Sequence, residues 1–407
     1  MAHSLARPVL SIAPRSHDVD KENDALLAEG PIVPVTVPGE VPVWAVTRYE
    51  LARRLLRDNR LSHSMENWDA WQRGEVSPTW PALLFLTGRN MINVDPPEHS
   101  RLRALVGQAF KVRPVEALRP RIAEITAGLL DELAARPAGA VVDLKEDFAV
   151  RLPITLFCDM FGITDPAVAR RFKELTDVGV NTTASVEQVV AMGQEFQQLL
   201  GALVEEKRRS PGEDLTSALV AARDQEHGSL TDEELLSTLL LMVSGGHETT
   251  ATLLVNAVHQ LCTHPDQLAA ARGDHRKWPA VVEESLRHRP PVKDLFFRFA
   301  LEDLDIEGVT VRAGEPVMAA LGAIGRDPQL HTDADLFDID RARQAHLAFG
   351  YGVHHCIGAA VARAQGEIGL AALFDRFPAL ALADSTEPEP ASTFIVDTPR
   401  RLLVTLT

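Results

Sequence analysis

Between Thr231 and Pro265 the chain reads TDEELLSTLLLMVSGGHETTATLLVNAVHQLCTHP, and no other run constrains the fold as much. Thr231 and Glu234 make a capping box at its start, and Pro265 marks its end. The spacing predicts one helix of about 32 residues, roughly 48 Å long. It is apolar almost all round, so it must be buried, and a chain built about such a helix is mainly α. Its middle is anomalous. Gly245 and Gly246 stand side by side, each costing about 1 kcal/mol against alanine in a helix. His247, Glu248, Thr249 and Thr250 follow at once. Glycines let a ligand approach the backbone, and an acid beside threonine hydroxyls can relay protons. The same residues describe a helix crossing at small side chains, with Glu248 paired to a lysine or arginine. The sequence leaves both readings open.

Around this helix the pattern is helical from about Pro96 to His288, with a last helix from about Gly358 to Phe374. Strand signals come from both ends of the chain: PIVPVTVP and VPVWAVTRY early, then FFRFALEDLDIEGVTVRAGEPVMAAL and a closing strand in TFIVDTPRRLLVTLT. Interleaving of this kind favours one domain, mainly α with a small β part, with residues 1–20 as a peripheral tail. A net charge of −16 argues against nucleic-acid or anionic-membrane partners. No run is long and apolar enough to span a membrane, so a cytoplasmic protein is expected. The three cysteines, Cys158, Cys262 and Cys356, are widely spaced and form no disulfide framework.

Cys356 stands in HLAFGYGVHHCIGAAVAR, at the start of the last helix. Free N–H groups and the helix dipole there favour thiolate and predict a lowered pKa. Gly358, Ala359 and Ala362 leave room for something large and flat. A buried inert cysteine fits the same position. A zinc site does not, because no second Cys or His pair stands at ligand spacing. In WPAVVEESLRHRPP, Glu284 and Arg287 lie three apart on one helical face, as a buried or an exposed pair.

Taken together, these stretches resemble the cytochromes P450, the haem-thiolate monooxygenases. The family's ligand signature FGxGxHxCxG is matched at Phe349, Gly350, Gly352, His354, Cys356 and Gly358. Its ExxR motif is matched at Glu284 and Arg287, and its oxygen-binding motif at Gly245-Gly246-His247-Glu248-Thr249. DPPEHSRLR, Asp95 to Arg103, is similar to a stretch common in bacterial members. Gly245 stands where alanine is usual, and Gly325 where many members have asparagine.

The resemblance implies the P450 fold and non-covalent haem b, iron protoporphyrin IX, with Cys356 as the metal ligand. It implies propionate contacts at His99, Arg103, Arg298 and His354, and a structural triad of Glu284, Arg287 and Arg341. Glu248 and Thr249 become the catalytic proton-delivering pair. The pocket is expected from Met242, Val243 and Gly246, from Val292, Leu295 and Phe296, and from Phe394 or Ile395. Residues 68–86 are expected to cover it as a loop, and residues 178–185 to act as a lid turn. The implied reaction inserts one oxygen atom from O2 into a small hydrophobic or amphipathic substrate such as a macrolide, a steroid or another specialised metabolite. Electrons would come from a separate ferredoxin and its reductase, docking near Lys111, Arg113 and Arg119. The alternatives are a peroxide-using or otherwise non-hydroxylating enzyme of the same fold, and a non-catalytic haem sensor.

Overall fold

A computed structural model describes residues 10–13, 18–80, 82–110, 115–181, 183–224, 228–294, 297–342, 345–384 and 388–406. The helical core forms where Ala359–Arg376 packs on Val115–Ala134, Trp278–His288 and Glu248–Thr263. Two glycines of Ala359–Arg376 set how closely its neighbours approach, Trp278–His288 at one and Arg151–Phe161 at the other. A Cβ at Gly366 would come within 2.9 Å of Val282, and one at Gly369 within 3.1 Å of Leu152. Leu253, Leu254, Val258, Leu370, Leu373 and Phe374 are all buried at this junction. Each such side chain contributes about 1.5–3 kcal/mol through burial.

The long helix differs from the sequence expectation. It runs as Asp232–Gly246 and Glu248–Thr263, with His247 between them at φ −110° and ψ −49°. The cause lies in the residues already singled out. Two poor helix formers weaken the ladder, and threonine hydroxyls take the carbonyls it gives up. The Thr249 hydroxyl donates to Gly245 O at 2.6 Å, and that of Thr250 to Gly246 O at 3.4 Å. The Thr231–Glu234 capping box is present in both directions.

Among the described residues the largest sheet has six strands, in the order Leu10–Ser11, Ile32–Val37, Val41–Val46, Pro316–Ala319, Arg298–Ala300 and Leu61–Ser62. Ile32–Val37 and Val41–Val46 form a hairpin with Val35 opposite Val43. Its turn places Gly39 at φ 90°, where a Cβ would strike Trp80 at 2.8 Å. Pro316–Ala319 pairs parallel to one side and antiparallel to Arg298–Ala300 on the other. That pairing sets Arg298 in a buried position.

Of the expected peripheral tail, residues 1–9 and 14–17 lie outside the described residues. Leu10 pairs with Val35, and Ile12 is buried, so this part is docked on the sheet. The closing strand is shorter than expected. Among its described residues only Leu403–Thr405 is strand, pairing with Val141–Asp143 and Ala381–Leu382. Before it the Thr393 hydroxyl accepts the N–H groups of Ile395 and Val396, which turns the chain, and Pro399 offers no N–H to a ladder.

Candidate active site

A cavity of about 350 Å³ lies between the broken helix and the loop that holds Cys356. Gly245, Gly246 and Thr249 face it from one side, and Phe349, Gly350, Cys356 and Gly358 from the other. Gly350 and Gly352 adopt φ of 69° and 75°, the left-handed region that suits glycine. A Cβ at Gly352 would also meet Leu56 O at 3.3 Å. The Cys356 N–H closes the loop on Phe349 O at 2.8 Å.

The Cys356 side chain is open to the cavity but enclosed by protein on its other sides. Burial is the largest influence on its thiol and pushes the pKa up. The Gly358 and Ala359 N–H groups, with Arg103 and Arg363, pull it down but do not win. The helix start alone therefore does not give the lowered pKa that the sequence predicts. A metal cation at the sulfur would reverse the balance, because a coordinating thiol is deprotonated outright.

At one edge of the cavity is a cluster of cations and histidines. The His354 ring stacks on His63 at 3.5 Å and lies 4.0 Å from His99. The Arg298 Nε donates to His63 Nε2 at 3.1 Å, and Arg103 donates to His355 O at 2.6 Å. Both ring nitrogens of His99 are buried without a hydrogen-bond partner among the described residues. Burial, and then neighbouring positive charge, hold His63 far below the usual histidine range and His354 at about 3. Burial lowers Arg298 to about 10. The nearby carboxylate, Asp95, is occupied by the Ser62 hydroxyl and the His63 N–H. Such a cluster calls for an anion. The two propionates of haem fit it, the cavity has room beside a thiol, and the glycines opposite have no atom within 4 Å of a would-be Cβ. The residues present thus fit haem. His63 carries no local signal in the sequence: it arrives because Leu61–Ser62 pairs with Arg298–Ala300.

Glu248 also lines the cavity, yet its carboxylate is buried against Lys145, with Nζ 3.4 Å from Oε1. Lys145 donates as well to the Thr398 hydroxyl and to Pro399 O, each at 3.1 Å. The paired-acid alternative therefore describes the resting geometry. Met242, Gly246, Val292 and Ile395 line the cavity. Val243 does not. It is fully buried in the helical core and absent from the cavity lining, so the sequence expectation for it is corrected: one residue on from Met242 is about 100° further round the helix. Leu295 and Phe296 lie outside the described residues. The 68–86 segment contributes Phe85 and Leu86, and no described residue of 178–185 lines the cavity. An apolar wall of Leu156, Phe157, Met160 and Phe161, unforeseen from sequence, closes another side.

Behind the ligand loop, Glu284 and Arg287 are completely buried and joined by two hydrogen bonds, of 2.8 and 2.7 Å. Arg341 adds a third at 3.3 Å. Gly325 has a steric reason to be glycine: a Cβ there would lie 2.0 Å from Arg287 O.

Comparison with known proteins agrees with this arrangement. The sequence model of the family described as Cytochrome P450 matches residues 171–276 and 278–405. The 2-hydroxy-5-methyl-1-naphthoate 7-hydroxylase of Streptomyces carzinostaticus is 39% identical, over 91% of this chain and 90% of that protein. Cytochrome P450 monooxygenase PikC of Streptomyces venezuelae is 41% identical, over 88% and 83%. The structure of CYP154C4 from Streptomyces sp. ATCC 11861, solved with testosterone bound, superposes with a TM-score of 0.94 at 41% identity, covering 99% of both chains. With a cysteine loop, a cation cluster and a broken central helix facing one cavity, and with relatives matching over nearly its full length, the chain belongs to the cytochrome P450 family and is a monooxygenase-type oxidoreductase.

Proposed function

We propose that the protein uses O2 to oxidise a small, largely apolar molecule of specialised metabolism, in one catalytic domain, in the cytoplasm, with haem b bound through Cys356. The observation that carries this is the single cavity faced by the Cys356 thiol on one side and the Thr249 hydroxyl on the other. Among the described residues no helix is long and apolar enough to cross a membrane. Haem, when bound, supplies the activation of dioxygen that no side chain provides.

The chain's own residues bind, orient and protonate. Arg103, Arg298, His99, His354 and His63 would hold the propionates. The apolar wall excludes water and orients substrate by shape. The Thr249 hydroxyl lies at the cavity face and can turn from Gly245 O to donate to a ligand there. Glu248 sits one residue away and can pass it a proton once released from Lys145. That ion pair is the one observation that favours the peroxide-using alternative, since a locked acid would supply no proton.

Electrons are proposed to come from a ferredoxin and its reductase. Lys111 and Arg113 lie outside the described residues, and Arg119 pairs with Glu367 at 3.1 Å. Arg53 and Arg57 flank the Tyr351 ring on the cysteine-loop side, beside an exposed Val353. They make a basic surface with an apolar centre, suited to an acidic protein.

The test is a screen of macrolides, steroids and aromatic polyketides for a change in iron spin state, followed by turnover of each hit under isotopically labelled dioxygen. One labelled atom in the product supports the proposal. Label absent from every product, with turnover driven only by added peroxide, overturns it.

A further inference from the structure

The half-helix Asp232–Gly246 carries a hydroxyl, at Ser244, that holds nothing in the fold. Leu241, Ser244 and Gly245 follow one another along one face of this helix, and all three line the main cavity. Ser237 lies on the same face two turns earlier. Its hydroxyl accepts from Asn90 Nδ2 at 3.1 Å, and the adjoining Met91, Ile92 and Asn93 are cavity wall. Val243, on the other side of the helix, is packed in the core. The Ser244 side chain therefore points at the cavity, about 7–8 Å along the helix axis from Thr249.

Hydroxyls inside helices commonly turn back on the carbonyl four residues earlier. Those of Thr126, Thr176, Thr249, Thr250 and Ser285 do so. Ser244 does not. Among the described residues its hydroxyl has no hydrogen-bond partner, and the side chain is only half-buried. Thr238 and Thr252 also lack partners, but both are sealed in the core, out of reach of a ligand. An unspent O–H in an apolar cavity is stabilised by any acceptor that a ligand brings to it. The charge around the cavity narrows what that acceptor can be. Arg103 and Arg298, the arginines that line it, belong to the propionate cluster, and Glu248 is itself a carboxylate. No described cation is left to pair with an anionic substrate, so a buried carboxylate would go uncompensated. We propose that Ser244 fixes the substrate by donating a hydrogen bond to an oxygen of a neutral molecule, a carbonyl or hydroxyl placed several bonds from the carbon that is oxidised beside Thr249. The inference rests on the monooxygenase reading of the same cavity.

The test uses probes that bind whether or not the anchor exists. Phenylimidazoles ligate haem iron through a ring nitrogen and shift the Soret band. On the haem-loaded protein, each position of the phenyl ring is substituted in turn with acetyl, with isopropenyl and with carboxylate, three groups of similar planar shape. At the position that reaches Ser244, the acetyl probe should bind about fivefold or more tightly than the isopropenyl probe. The carboxylate probe should bind most weakly at every position. Ser244→Ala removes no hydrogen bond and suits a helix, so the variant should fold, and it should erase the acetyl advantage. If acetyl gains nothing over isopropenyl at any position of the wild-type protein, or if its advantage survives in Ser244→Ala, the anchor is overturned while the haem site stands. If the carboxylate probe binds best, the neutral substrate class is overturned. If no probe shifts the Soret band, the haem site itself is refuted, and the anchor with it.

Discussion

Replacing Glu284 by alanine would strip the counter-charge from a guanidinium that water does not reach. Glu284 accepts hydrogen bonds from Arg287 Nε and Nη2, from Arg341 Nε and from the Asp338 N–H, the last at 2.9 Å. In the variant Arg287 keeps only the neutral carbonyls of Gly325, Ala334 and Leu336, at 2.7–2.8 Å. Breaking a completely buried pair from one side costs roughly 3–5 kcal/mol. A domain's whole stability is about 5–15 kcal/mol. The loss falls on the segment leading into the cysteine loop, so haem retention should decline with stability. The assay is thermal melting together with the haem-to-protein ratio. Glu284→Ala should melt far below wild type and purify haem-poor. Glu284→Ala with Arg287→Met should recover part of the loss, because no uncompensated charge remains. A Glu284→Ala protein with wild-type melting and full haem would refute the argument.

The remaining predictions concern the proton path and acid stability. Thr249→Ala should still bind substrate and consume reductant, while product per electron falls and hydrogen peroxide rises to match; unchanged coupling would make Thr249 a helix-packing residue. Glu248→Gln should slow oxygen reduction overall, by roughly a hundredfold if the acid acts in general catalysis, with little added peroxide, and stopped-flow oxidation of the reduced protein reads this directly. Stability should fall as pH drops below the ordinary histidine value of 6.5. Burial holds His247 and His288 below that value, so they stay neutral when folded and take up protons on unfolding. Stability is therefore present above about 6.5 and lost below it, by up to about 1.4 kcal/mol per pH unit for each group. A melting temperature flat between neutrality and about pH 5 would contradict this.

Much of the site was legible because its chemistry sits in consecutive residues. The glycines around Cys356, the Thr231–Glu234 box and the Glu284–Arg287 spacing each impose a local geometry that a short window contains. What escaped depends on distant partners. Glu248 meets Lys145 across 103 positions of sequence, so no pattern around either residue announces the pair. His63 joins the cation cluster only through strand pairing with a segment 235 positions away. The helix break needed the competition between glycine propensity and threonine hydroxyls to be weighed, and periodicity alone favoured continuity. Val243 failed for a simpler reason: both faces of a buried helix are apolar, and hydrophobicity cannot say which one meets a cavity. The raised Cys356 pKa shows burial outweighing a helix start, and burial is a property of the folded surroundings.

The central claim is that the Cys356 thiolate ligates haem iron, and the spectrum of the reduced, carbon monoxide-bound protein tests it most directly. The wild-type protein and the Cys158→Ser and Cys262→Ser variants should all show the red-shifted Soret band of thiolate-ligated haem. Cys356→Ser should lose it. If Cys356→Ser kept the band while one of the other two variants lost it, the ligand assignment and the site built around it would be wrong.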